Sequence, residues 1–464
     1  MRVLVRPTAA DLRETVRLAV PVVVVQVGLM LMGVVDTIMV GRVSAAALAA
    51  VAVGNLYFFV VAIFGIGLLL ALDPIVSQAA GAGDHAAVRR AVQRGLVLSL
   101  VASAVVSLAL LGAGPLLRLA RQPAEIVPDA TAYAVVSIAG VVPFLAFVVF
   151  RQTLQALRHM RPIVVTIVLA NVANAALNWV LIFGHLGASP MGPVGSAWAS
   201  VLARWAATIT LVVAAWPVLR PMLVPIDRTA LARGPLLRML RLGLPVGLQQ
   251  QLEFSAFGVI GLLMGSFGTA QVAAHQVAIN LASLTFMVPL AVGAAAAVTV
   301  GHAVGAGDMG AARRAATAAL LCGAGFMCCS ALVFLLVPSA LARVYTTDAA
   351  VLALAAALIP IAGVFQVADG LQAVAAGVLR GAADTRAPLV VNLLGFWLVG
   401  MPASLYLAFG TPAGPRGLWW GLVAGLGAVA LLLILRTRQR LGGTVRRVVM
   451  DDVGATSVLE EREA

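Results

Sequence analysis

The chain contains no lysine, and its 464 residues hold three cysteines, four tyrosines and 18 carboxylates, with 11% of positions charged. Each scarcity excludes something. Without lysine there is no phosphate-binding GxxxxGK[ST] loop, no HExxH pair is present, and no water-facing stretch is long enough for an ATPase. The glycine-rich Gly81-Ala82-Gly83-Asp84 and Gly305-Ala306-Gly307-Asp308 therefore read as tight turns in which Asp84 and Asp308 start the next helix. Cys322, Cys328 and Cys329 lie within one apolar run, with no loop to staple and no histidine at ligand spacing, so they read as packing residues and no metal centre is expected. A charged fraction this low, beside 62% hydrophobic residues, excludes an ordinary soluble domain.

What is present instead is a series of apolar runs long enough for helices, which need roughly 20 such residues to cross about 30 Å of hydrocarbon. Twelve spans are expected, near 16–40, 48–73, 96–117, 130–150, 162–185, 195–216, 242–265, 272–300, 315–341, 349–379, 387–410 and 417–435. Their length and lack of alternation exclude a closed β-barrel. The predicted class is an all-α membrane protein.

Two phrases 224 residues apart, VSQAAGAGDHAAVRR from Val76 and VGHAVGAGDMGAARR from Val300, reveal a tandem duplication. Pro21 and Pro245, and Gly41 and Gly265, match at the same offset. Six spans per copy, an even number, make the two repeats parallel. The expected organisation is an N-lobe over 1–216, a cytoplasmic linker over 217–241, a C-lobe over 242–435, and a disordered cytoplasmic tail over 436–464.

Of the 31 arginines, 25 fall in the N-terminal arm, the linker, the tail and alternate loops, which the positive-inside rule assigns to the cytoplasm together with both termini. No cleavable signal peptide is expected, because Met1 to Arg17 carries both signs of charge and the first run is long enough to remain an anchor. The net charge of +13 borders membrane spans and has no interleaved aromatic platform, so anionic lipid headgroups are the expected partners and nucleic acid is not. The arginine-only basic set and the abundance of alanine and valine point to a GC-rich bacterial genome and hence to the cytoplasmic membrane.

Ionisable groups within hydrocarbon cost about 3 kcal/mol or more unless they face a cavity or a partner. Three acids lie well inside spans: Asp36, Glu253 and Asp369. Their repeat partners are not acids, since Leu29 answers Glu253 and Ile260 answers Asp36. By helical rise Glu253 is about 17 Å into its span and Asp36 about 30 Å, so they sit at different depths. Gln249 and Gln250 share a face with Glu253, and Gln366 and Gln372 flank Asp369 at three-residue spacing, which predicts one polar cavity between spans 7 and 10. Asn174 and Asn178, four apart on span 5, complete a pocket around Asp36. Isolated asparagines and glutamines ordinarily serve as interhelical glue, which is the competing reading for each amide. His275 with Gln276 offers a proton relay or a satisfied core histidine. Asp73 reads as a water-exposed residue at a helix end, and Arg204, mid-depth in span 6, is given no role.

With these residues in place, the chain resembles the multidrug and toxic-compound extrusion (MATE) family, NorM-like branch. The resemblance rests on GVVDTIMVGR around Asp36, AAVAVGN at 49–55, QAAGAGD at 78–84, LPVGLQQQLEF at 244–254, AAHQVAIN at 273–280 and AAGVLRGAADT at 375–385. It implies a V-shaped pair of six-helix lobes around a central cavity. It further implies secondary active export of organic, mostly cationic drugs in exchange for protons or sodium, without any other cofactor. Asp36, Asn174 and Asn178 then resemble an N-lobe cation site and Glu253 with Asp369 a C-lobe site. Gln249, Gln250, Gln276, Phe286, Phe365 and Gln366 are expected to line the substrate cavity. Phe365 stands where NorM-like relatives often place a tyrosine, which leaves the coupling ion open. The protein is expected to act as a monomer and not as an enzyme. The rival readings are a lipid-linked glycan flippase of the same superfamily, whose cavity should be rich in basic residues, a channel, and an intramembrane protease.

Overall fold

The computed structural model describes residues 5–451, and among these there are helices, turns and loops but no strand. Twelve long helices follow one another: α1 Ala9–Gly41, α2 Ala45–Gly81, α3 His85–Leu111, α4 Val127–Ala156, α5 Arg161–Phe183, α6 Gly192–Ala214, α7 Arg233–Met264, α8 Thr269–Gly305, α9 Met309–Leu336, α10 Ala349–Gly381, α11 Arg386–Phe409 and α12 Pro415–Gly442. Eleven are long and apolar enough to cross a membrane. The remaining one, α7, is long enough but carries Gln249, Gln250, Gln251 and Glu253 at its middle. The bundle is that of a multi-pass membrane protein, with α1–α6 forming one lobe and α7–α12 the other.

The helix ends follow from local sequence. Thr8 and Asp11 close a capping box at α1, with the Thr8 backbone N–H donating to Asp11 over 2.8 Å. Asp84 accepts from the backbone of Ala87 at 2.9 Å and Asp308 from that of Ala311 at 2.8 Å, so the two copies of the duplicated phrase start their helices in the same way. The preceding Gly83 and Gly307 have φ of +70° and +76°, a left-handed conformation that explains why both copies keep glycine there.

Separate apolar cores fill the lobes, one built from α8, α10 and α12 and others from α2–α4 and from α1, α4, α5 and α6. The lobes meet along α1, which packs on α8 and α9, and along α2, which presses on α7 and α8 in the half of the molecule nearest the linker, called here the arginine-rich end. A Cβ added at Gly67 would lie 2.6 Å from Cα of Gly247, and Gly81 packs on the backbone of His302 as closely as Gly301 packs on Ser77. Such contacts are the usual device of helices in lipid, where small residues let backbones approach. Polar bonds close the same end. Gln78 donates to the carbonyl of Gly381 at 2.9 Å, and Nε2 of His302 donates to that of Ala156 at 2.7 Å.

Two domain boundaries differ from expectation. The linker expected over 217–241 gives up its last residues to α7, because Leu236, Met239, Leu240 and Leu242 bury themselves against the N-lobe core and extend the helix back to Arg233. What remains is a short helix, Trp216–Leu223, and a 3-10 turn, Arg228–Leu231. The tail expected to be disordered from 436 is helical through Gly442, since Thr437 and Leu441 are buried.

Residues 443–451 then form a strap that leaves the C-lobe and lies on the N-lobe; the remainder of the tail is outside the described residues. Val445 is buried against the C-lobe core and Met450 against the N-lobe core. The Val448 N–H donates to Gln78 at 2.8 Å, Arg447 to Asp84 at 2.6 Å, and Arg90 to Asp451 at 2.7 Å. The Arg447 guanidinium, aided by the Ala87 N–H, holds the Asp84 carboxyl below its ordinary pKa. Arg94, fully buried, binds the strap through Asp451 and the linker through the carbonyls of Thr229 and Ala230.

Truncation after Gly442 is expected to lower the Tm of the detergent-solubilised protein by roughly 2 °C or more, given several lost bonds and the loss of the buried Val445 and Met450 from the two cores. Scanning fluorimetry of the two proteins decides this. An unchanged Tm would mean the strap adds nothing to the lobe contact.

Candidate functional site

The first acid, Asp36, is on α1 and 7% exposed. Asn178 on α5 donates to its Oδ1 at 2.6 Å, and Ser200 on α6 donates to its Oδ2 at 3.0 Å. The Asn178 amide also donates to the carbonyl of Asn174, 3.0 Å away on the preceding turn. The Oδ1 atoms of Asn174 and Asn178 are buried without a hydrogen-bond partner among the described residues, while the Asn174 amide lies close enough to Asp36 to stabilise its carboxylate. Oxygens left free beside a buried carboxylate are suited to a small cation, and buried polar atoms normally find partners. Tyr133 on α4 and Arg204 on α6 are near enough to Asp36 to interact with it electrostatically. The Arg204 guanidinium sits over the Phe58 ring at 3.9 Å from its centroid.

In the other lobe one amide joins two acids. Nε2 of Gln372 donates to Oε1 of Glu253 at 2.9 Å and to Oδ1 of Asp369 at 3.1 Å, and Asn392 on α11 donates to Oε2 of Glu253 at 3.3 Å. Just after Asn392 the helix widens into a π-helical segment, Leu393–Gly400. Trp397 within it donates to the carbonyl of Leu252 at 3.3 Å, which ties α11 to α7 beside the acids.

A cavity of about 530 Å³ lies between the lobes, within the usual range for small-molecule sites. Glu253, Asp369, Gln249, Gln250, Phe286 and Phe365 all line it. Phe365 is packed against Trp419 at 5.5 Å between ring centroids and supplies an apolar surface. Two expected lining residues do not fit. Gln276 is on the exposed side of α8, where it pairs with Asn280 at 3.4 Å, because the one-residue step from the buried His275 turns it about 100° to the face that leaves the core. Gln366 is buried behind the wall, accepting from Thr285 at 2.6 Å. His275 is buried against Trp419 with a centroid separation of 5.4 Å and does not belong to the lining. Asp36, Asn174 and Asn178 likewise form a separate cluster, outside the cavity.

The end of the cavity nearest the linker holds charges that sequence reasoning placed elsewhere. Asp73, expected in water, is 1% exposed and pairs across the lobes with Arg380 of α10 at 2.9 Å, while Gln152 donates to its other oxygen at 2.7 Å. Arg151 and Arg380, counted among the loop arginines, lie within α4 and α10 and line the cavity; Arg204 does not line it. The helices run past the expected span ends at 150 and 379, which is how these side chains come inside. Ser200 and Asn392 were also missed: a single serine in an apolar run carries no signal, whereas the lone Asn392 was findable as an intramembrane amide. Among the described residues no cluster of histidine, cysteine and carboxylate suits a tightly held metal.

Comparison with known proteins gives one consistent result. The family model described as MatE matches residues 21–180 and 245–405, once in each repeat. The probable multidrug resistance protein NorM of Rhizobium meliloti is 37% identical, over 91% of this chain and 92% of its own length. The multidrug resistance protein PmpM of Pseudomonas aeruginosa is 35% identical over 97% of this chain and 96% of its own. Among solved structures, the eukaryotic MATE transporter AtDTX14 superposes with a TM-score of 0.86 at 22% identity, covering 93% of this chain and 98% of that one. An outward-facing multidrug resistance MATE family transporter gives 0.84 at 20%, with 93% and 96% covered.

The two bonds to Asp36 differ in length and donor, so their removal should not be equivalent. Asn178→Ala is expected to reduce transport at least tenfold, the loss typical of a short bond to a charged group, and Ser200→Ala by a smaller factor. Initial rates in proteoliposomes measure this; equal losses would show that the Asn178 bond carries no special weight.

Proposed function

The chain belongs to the MATE family, and from that premise we propose that it is a secondary active multidrug efflux transporter, exporting organic, mostly cationic compounds by alternating access in exchange for protons or sodium. The observation that carries this reading is an apolar cavity between two lobes with two carboxylates, Glu253 and Asp369, on one wall. A cationic amphiphile fits such a wall. So does a small inorganic cation, because two carboxylates sharing one Gln372 donor repel each other and are relieved by a positive charge between them.

Coupling follows if drug and ion compete for that charge, since a ligand shifts a conformational equilibrium only by its differential affinity for the two states. A cation arriving at Glu253 and Asp369 weakens retention of the drug and releases it, and a second cation at Asp36 biases the N-lobe in the same cycle. The described conformation is closed at the arginine-rich end by Asp73–Arg380, Gln78–Gly381 and the packing of α2 on α7 and α8. Opening toward that side requires these to separate as the lobes rock. Charge bias in the loops supports a bacterial cytoplasmic membrane location with both termini and the linker inside, lipid headgroups around the arginines, and a monomeric unit that holds the whole path.

The flippase alternative is disfavoured. A pyrophosphate headgroup would face Glu253 and Asp369 across the cavity, and the named relatives are multidrug resistance proteins.

Efflux of ethidium from proteoliposomes under separately imposed proton and sodium gradients tests the proposal. One gradient is expected to drive transport, and Glu253→Gln, Asp369→Asn and Asp36→Asn are each expected to slow it at least tenfold while leaving insertion intact. Normal cation-dependent rates in all three variants would sink the carboxylate-coupling mechanism.

A further inference from the structure

Away from the cavity, the N-lobe builds a niche around Arg204. The guanidinium carbon lies 3.9 Å from the ring centroid of Phe58 on α2 and 5.4 Å from that of Phe144 on α4, two rings set edge to face. Beside them a 3-10 turn, Ile138–Gly140, interrupts α4, and a Cβ at Gly140 would stand 3.2 Å from Cδ of Arg204 and 3.3 Å from its Nη1. Aromatic faces favour a desolvated cation but do not neutralise it. Nη1 is buried without a hydrogen-bond partner among the described residues, and the carboxylate on which this charge acts is Asp36. Ser200, which donates to Asp36 at 3.0 Å, precedes Arg204 by four residues and so projects from the same side of α6. Tyr133 on α4, itself buried, borders both charges.

We propose that Arg204 is the tethered counter-ion of Asp36, balancing the carboxylate whenever the N-lobe site holds no coupling ion and thereby setting the ion concentration at which that site fills. The inference rests on the coupling reading of Asp36 and deepens it. Both charges are additions to the duplicated scaffold. The offset that pairs Gly195 with Gly417 and Trp198 with Trp420 sets Leu426 opposite Arg204, just as Ile260 stands opposite Asp36. Leu426 and Ile260 are both buried in the apolar core of the C-lobe. A lone charge within a span is costly, whereas a charge that has a partner is tolerated, so the pair accounts for both departures together. Arginine suits the task because its guanidinium keeps its proton, so the tethered charge stays constant while Asp36 fills and empties. By Coulomb's law, removing a fixed positive charge from beside a carboxylate strengthens the hold of that carboxylate on a mobile one. A packing role for Arg204 would explain the two rings and the glycine, but not why a charge fills the niche where the other copy has leucine.

Two measurements on the full-length protein test this. The first is a double-mutant cycle by scanning fluorimetry with Asp36→Asn, Arg204→Gln and the two combined, which reads the pairing without any transport. The combined variant is expected to lose less Tm than the two single losses added together, because each single change leaves one charge unbalanced. Strict additivity overturns the pairing. A combined variant that purifies where one of its parents is too unstable to do so is the same positive result, and one no more stable than that parent overturns the pairing. The second measurement is the initial rate of ethidium efflux from proteoliposomes as the driving ion, proton or sodium, is varied. Arg204→Gln and Arg204→Met are expected to lower the half-saturating ion concentration at least fivefold, and Arg204→Lys, which keeps the charge and loses the planar stacking, to leave it within twofold of wild type. Equal shifts in all three variants, or changes confined to the maximal rate, overturn the counter-ion role and leave the efflux reading standing. Wild type that no ion gradient drives overturns both.

Discussion

Inside a bilayer no water is displaced when two apolar helices meet, so two lobes must hold each other by close packing and a few polar bonds. Here that packing is concentrated where α2 crosses α7 and α8, with Gly67 on Gly247, Gly81 on His302 and Gly301 on Ser77. The position of this seam decides much of the remaining architecture. It sets the floor of the cavity, brings Asp73 within reach of Arg380, and leaves the acidic wall on α7 and α10 facing open space. A seam of backbone contacts is also separable in a way that an interlocked aromatic core is not. Small residues lose little shape complementarity when two helices tilt apart.

Duplication supplied the scaffold and single substitutions supplied the chemistry. The helix-starting aspartates, their left-handed glycines and the following arginine pairs occur in both copies and do equivalent structural work in both. In the N-lobe, Arg89 and Arg90 lie 3.6 and 3.8 Å from Asp227 of the linker; in the C-lobe, Arg313 donates to the carbonyl of Leu441 and Arg314 lies 3.6 Å from Asp11. Asp36, Glu253, Asp73 and Arg151 follow no such symmetry. One lobe holds a carboxylate, Asp36, enclosed by Asn174, Asn178 and Ser200, and the other holds a paired carboxylate open to the cavity. Under the proposed mechanism, two sites of different shape in one pair of lobes let a small ion and a bulky molecule act on the same equilibrium.

Much of this was legible because membrane burial makes charge rare. Asp36, Glu253 and Asp369 stand out in apolar runs, and their amide neighbours follow from helical spacing alone; Asn178 does reach Asp36, and Gln372 does reach Asp369. The illegible part came from two sources. Helix ends cannot be placed to within a turn from hydropathy, so Arg151 and Arg380 were assigned to loops although their helices continue past them. Partners far apart in sequence leave no local trace, as with Ser200, 164 positions from Asp36, or Arg380 opposite Asp73. The strap was hidden for a different reason: residues 443–451 mix Val445, Val448, Val449 and Met450 with polar residues without forming a helix, and they are ordered by Gln78, Asp84 and Arg94 of the other lobe.

That strap has a consequence for biosynthesis. Residues 443–451 leave the ribosome after all twelve helices, yet they supply ligands for Asp84, Arg90 and Arg94 near the start of α3. Until they emerge, a fully inserted chain presents an incomplete arginine-rich end, with the buried Arg94 short of its counter-ion. Final closure of the first lobe to be made is therefore deferred until after α12 has been made, which ties the quality of the N-lobe to the integrity of a segment beyond the last helix.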